Sequence, residues 1–89
     1  MPYVKKELRA YLDGNIEALA KEIRGLPPDE TAGALNYAIT RLFVLQYPSR
    51  YYHFNRLLGV LEAVKQEFYR RLVAPYEDEK KQENGDVFT

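Results

Sequence analysis

The chain has 89 residues, 46% of them hydrophobic and 29% charged, with thirteen acids balancing thirteen lysines and arginines. That length makes a single domain, residues 1–89, which on folding buries only about 60–65% of the surface an unfolded chain exposes. The composition excludes the disordered class, zero net charge argues against a protein that coats nucleic acid or an anionic membrane, and the absence of cysteine removes disulfides and thiolate metal sites. A helical partner is the remaining way to support so small a core.

The charge is unevenly placed. Residues 74–89 hold Glu77, Asp78, Glu79, Glu83 and Asp86 against Lys80 and Lys81, a net charge of −3 that leaves +3 on residues 1–73. The opening MPYVKKELRAYLDGN holds no apolar run that would serve as a signal peptide, and no segment approaches the length of a membrane span, so a cytoplasmic location is expected.

In chain order, Val4 to Leu12 reads as a short helix that Asp13-Gly14-Asn15 interrupts, with Asn15 as the N-cap of the next helical segment. Ile16, Leu19, Ala20, Ile23 and Leu26 then form one apolar stripe, ended by Gly25 and Pro27-Pro28. A second helix is predicted from Asp29 or Thr31 to about Tyr47, stopped by Pro48-Ser49. Its Leu35, Ala38, Ile39, Leu42 and Leu45 make one stripe, while Tyr37, Phe43, Val44 and Tyr47 fall off it, so it reads as a central helix covered on more than one side. Asn36 and Thr40, one turn apart, are expected to hydrogen-bond to backbone or to a tyrosine hydroxyl rather than to a ligand.

The third helix starts at Ser49 or Tyr51. Phe54, Leu57, Leu58, Leu61, Val64, Phe68, Leu72 and Tyr76 keep helical spacing across Pro75. Gly59 lies in this helix and either marks close approach of another backbone, the favoured reading, or is merely tolerated there. Pro75 removes the amide that would bond to the carbonyl of Arg71 and disfavours helical geometry at Ala74, so a kink or break is predicted at residues 73–75. Proline is also favoured at a helix start, where Glu77, Asp78 and Glu79 suit the positive end of the dipole, and Asn84-Gly85 is a natural stop. The result is a terminal helix of about ten residues on a proline joint. Its acids are expected to face the basic end of a third helix, its own or a dimer mate's, with Tyr76 anchoring the segment.

LNYAITRLF at Leu35 to Phe43 and EFYRRLVAPYEDEKKQENGDVF at Glu67 to Phe88 resemble a family of small, uncharacterised helical proteins of bacteria and bacteriophages. The resemblance implies a shared fold and supplies no activity, cofactor or catalytic residue.

His53 is the single histidine, so a His-based metal site or nucleophile has one imidazole at most, and a packing or helix-start role is favoured. The five glycines are isolated and form no phosphate loop. Glu79, Glu83 and Asp86, with Glu77 and Asp78, offer oxygen ligands of the type Mg²⁺ or Ca²⁺ prefers, but lysines stand among them and a solvated acidic face is the simpler reading. Arg50, Arg56, Lys65, Arg70 and Arg71 share a helix with several tyrosines, which single-stranded nucleic acid would use and a protein interface would use equally well.

The sequence therefore predicts an all-α small helical bundle with two long antiparallel helices at about 29–47 and 50–74, an N-terminal helical segment and a short helix after Pro75. A helix of about 25 residues is roughly 37 Å long, whereas a compact domain of this size has a radius of gyration of only about 12 Å, so a homodimer is expected to cover it. The favoured function is a non-enzymatic accessory protein acting through an unidentified protein partner, with no cofactor and no catalytic or metal-binding residue. Its candidate surface is Arg56, Lys65, Tyr69, Arg70, Arg71, Tyr76, Glu77, Asp78 and Glu79. A nucleic-acid-binding module is the alternative, and a hydrolase using a metal on the terminal acids comes third.

Overall fold

Local sequence signals set the helix ends. The computed structural model describes residues 3–46 and 50–88, which contain α1 (Lys6–Arg24), α2 (Pro28–Val44), α3 (Tyr51–Phe68), a π-helical turn (Tyr69–Val73) and α4 (Ala74–Asn84). No strand occurs among the described residues, so the all-α expectation holds. The chain divides into two compact units, residues 3–53 and 54–88 of the described chain.

In the first unit α1 packs against α2. The turn between them is built from backbone bonds: Gly25 N–H donates to Lys21 O at 3.2 Å and Leu26 N–H to Ile23 O at 3.1 Å. Pro28 then takes the first helical position, where its missing amide costs nothing. Lys21 and Arg24 close α1, while Asp29 and Glu30 open α2, each matching the sign of the helix dipole at its end.

Several expectations are corrected here. Gly14 does not interrupt α1, which runs unbroken from Lys6 to Arg24. Leu8, Leu12 and Ile16 recur every four residues and continue the stripe of Leu19, Ile23 and Leu26, so one long amphipathic face outweighs the ~1 kcal/mol that a mid-helix glycine costs. The second helix ends at Val44, earlier than expected, and the proposed stop at Tyr47 to Ser49 lies outside the described residues. Nor is α2 a central, covered helix within the chain, for none of its residues is buried. Asn36 and Thr40 are exposed, and the Thr40 hydroxyl donates to the Asn36 carbonyl at 2.8 Å, the backbone bond expected of it.

In the second unit α3, the π turn and α4 follow one another without an intervening loop. Of the predicted kink or break, the break is absent. Val73 (φ −78°, ψ −46°) and Ala74 (φ −61°, ψ −46°) both keep helical geometry, and the Ala74 N–H donates to the Tyr69 carbonyl, five residues back. A helix one residue wider at this turn accommodates the proline and then continues, so the acidic segment extends the helix and does not fold back on its own α3. The terminal stop is as expected in position. Gly85 N–H caps Lys81 O at 2.8 Å, with φ 88° and ψ 155°, a region open essentially to glycine alone.

A Cβ added at Gly14 or Gly59 meets nothing within 4 Å, so Gly59 marks no close approach inside the chain. Gly14→Ala and Gly59→Ala are each expected to stabilise the protein by ~0.5–1 kcal/mol, because alanine loses less backbone freedom in a helix. Gly85→Ala is expected to destabilise it, through the positive φ. Urea denaturation of the three variants checks both signs.

Candidate interaction surface

The residues singled out by sequence all lie on the helix that runs from α3 through the π turn into α4. Arg56 and Lys65 stand on α3, Tyr69, Arg70 and Arg71 on the π turn, and Tyr76, Glu77, Asp78 and Glu79 on α4. Most of the resolved polar contacts here are local. Lys65 Nζ lies 3.5 Å from Glu62, Arg70 donates to Glu67 at 2.7 Å, Lys81 lies 3.9 Å from Asp78, and Lys80 donates to Glu83 at 3.1 Å. Each pair is three residues apart and, except for the half-buried Glu67, solvent-exposed, so each contributes only ~0.3–0.5 kcal/mol. The Glu62 carboxylate also accepts from Gln66 Nε2 at 3.2 Å. That bond first, and the Lys65 charge second, hold its pKa below the usual carboxylate value.

One contact spans the π turn. The Tyr69 hydroxyl donates to Glu77 Oε1 at 2.5 Å, eight residues along. This hydrogen bond, reinforced by the negative charge of Glu77, raises the Tyr69 pKa above the ordinary value of 10.0. It ties the last turn of the basic stretch to the first turn of the acidic one.

Tyr76 does not anchor α4 within the chain. It is 58% exposed, and its ring is approached by Lys80 Nζ at 5.5 Å. Beyond it the chain leaves the helix at Gly85, and the Phe88 N–H donates to Asp86 Oδ1 at 2.9 Å. A cavity of about 520 Å³ lies between this terminal turn and the helix, bordered by Tyr69, Tyr76, Lys80, Lys81, Val87 and Phe88. His53 meets Tyr52 edge to face, with ring centroids 5.2 Å apart. Among the described residues no three acidic or histidine side chains gather where a metal ion would sit, and no helix is long and apolar enough to cross a membrane.

Sequence reasoning missed a second surface. The α1–α2 pair encloses an apolar groove of about 440 Å³ lined mainly by Leu19, Ile23, Leu26, Ala38, Leu42 and Leu45. The signal is present in the two stripes, which are in phase with a hairpin whose turn is residues 25–27, but the same apolar residues read equally well as the faces of a covered α2.

The comparisons with known proteins add a family and no activity. A family model described as a domain of unknown function (DUF6899) matches residues 1–87. No curated protein and no solved structure matches the chain.

The Tyr69–Glu77 bond carries a pH prediction. A group whose pKa is raised in the folded state contributes stability below its ordinary pKa and loses it as pH rises through the raised value. The Tyr69 contribution is therefore complete at neutral pH and lost above about pH 10. With ¹³C-labelled tyrosine, the Tyr69 phenol is expected to titrate above its ordinary value, and Glu77→Ala, which removes both the acceptor and its charge, to lower it.

Proposed function

We propose that this chain, which belongs to the DUF6899 family, is a non-enzymatic, self-associating helical protein that works by binding protein surfaces. The observation that carries the reading is the shortage of core: among the described residues Ile23 alone of the apolar side chains is buried. Residues 54–88 bury none, while Phe54, Leu58, Phe68, Leu72 and Tyr76 all stand more than half exposed. A soluble monomer rarely shows a contiguous apolar patch beyond a few hundred Å², and larger ones mark protein interfaces. Isolated helices of this kind are stabilised chiefly by packing of their apolar face, which here must come from outside the unit.

The basic residues support this reading over nucleic-acid binding. Lys65 and Arg70 are each engaged by an acid one turn earlier, so phosphate would have to displace Glu62 and Glu67. An accessory role in the cytoplasm of a bacterium or for a bacteriophage, suggested by the two sequence motifs, belongs to the same proposal. So does a further protein partner, for which the α1–α2 groove is available.

Light scattering at tens of micromolar is expected to give an oligomer, and the thermal midpoint is expected to rise with protein concentration, as mass action requires. A monomer whose midpoint is independent of concentration would sink the proposal. Mobility shift with single-stranded RNA and DNA is expected to show no binding at physiological salt, and binding that falls steeply with salt would favour the alternative.

A further inference from the structure

The apolar residues of the second unit have a spacing finer than a helical stripe. Phe54, Leu58, Leu61, Phe68 and Leu72 follow alternating steps of four and three, with Lys65 in the place between Leu61 and Phe68. That is the seam of a coiled coil over about three heptads. The next seam position in an uninterrupted helix would be residue 75, a proline. The π turn at Tyr69–Val73 absorbs one extra residue, which brings Tyr76 to that position instead. The apolar members and Tyr76 are between 40% and 63% exposed.

We infer that this seam pairs antiparallel with the same seam of a second copy of the chain, Leu58 lying beside the partner copy's Tyr76. The inference rests on the self-association proposed above and names the surface that performs it. Charge selects the occupant and its direction. Residues 54–73 hold four cations against two acids, and residues 74–88 hold two cations against five acids. Parallel pairing sets like halves together, whereas antiparallel pairing lays each acidic α4 along the basic start of the other copy's α3, near Arg56. The chain's own hairpin offers no such match, because α1 carries four charges of each sign and α2 one cation against two acids.

In this register Leu61 meets the partner copy's Leu72, and Lys65 meets its Phe68. A lysine at a seam position lowers stability but fixes register, and its ammonium over the phenyl face recovers part of the loss. Gly59 lies off the seam, in keeping with the open space around it.

The chain has no cysteine, so single replacements report geometry directly. Leu58→Cys and Tyr76→Cys are oxidised separately and as a mixture, with light scattering on each reduced sample. The mixture is expected to form a disulfide-linked pair containing one of each, and neither variant alone to do so. In the antiparallel pair two identical positions are roughly 25 Å apart along the axis, and a disulfide requires Cα atoms within about 7 Å. Self-linking of each variant without mixed linking would show a parallel pair and overturn the inference. A dimer by light scattering with no linking in any sample would overturn the seam while leaving self-association standing. A monomer for both reduced variants and the unsubstituted chain would overturn both.

Discussion

An amphipathic helix gains its stability from covering its apolar face, and ordering each residue costs on the order of 1–2 kcal/mol that hydrogen bonds alone scarcely offset. Every other feature of this protein depends on that constraint. The chain devotes its apolar residues to long stripes along three helical stretches and keeps one of them, Ile23, buried among the described residues. The α1–α2 hairpin covers its stripes in part, since Leu19 and Leu26 remain about two-fifths exposed beside it. The second unit buries none of its described residues fully. Its helix carries the apolar spacing of the proposed seam and a polar remainder stitched by pairs three residues apart.

Much of the helical content is legible from periodicity and punctuation. Pro27-Pro28 separates α1 from α2, and Asn84-Gly85 ends α4, because these residues constrain the backbone whatever surrounds them. The errors come where a local signal competes with a longer pattern. Gly14 between Asp13 and Asn15 looks like a turn within five residues and like a tolerated glycine within nineteen, and the longer stripe prevails. Burial is not legible at all for α2: apolar residues on several faces announce that the helix needs covering, without saying whether the cover belongs to the same chain.

Pro75 shows the same competition resolved in the backbone. Proline inside a helix removes one hydrogen bond and crowds the preceding turn, at ~3 kcal/mol or more in a regular α-helix. Two outcomes relieve it, a break or a local widening. A break would have freed α4 to turn, as the proline and the charge split suggest from sequence. The widening keeps Ala74 helical, lets its amide reach the Tyr69 carbonyl, and leaves Tyr69 and Glu77 close enough to bond across the turn. It also shifts the seam by one residue, so that Tyr76 takes the position Pro75 would hold in an uninterrupted helix. Tyr76 follows Leu72 by four residues, the spacing of an uninterrupted helix, so the π turn is not legible in the sequence.

Charge acts on two scales in this helix, and they do different things. Pairs such as Glu67 with Arg70 lie within one turn and are indifferent to any partner's direction, because each brings its own neutralising charge. The excess left after such pairing is what the proposed second copy would meet: cationic over residues 54–73 and anionic over 74–88. Individual exposed pairs contribute little, and salt screens them within about 8–10 Å. Hydrophobic burial therefore has to supply the affinity of any association. Burial is nonetheless nearly blind to strand direction, since the seam residues are apolar either way, so a weak and screened charge asymmetry suffices to decide orientation. The Tyr69–Glu77 bond stands at the border between the two halves, where it holds the acidic segment in helical line with the basic one and so preserves the asymmetry as a property of a single helix.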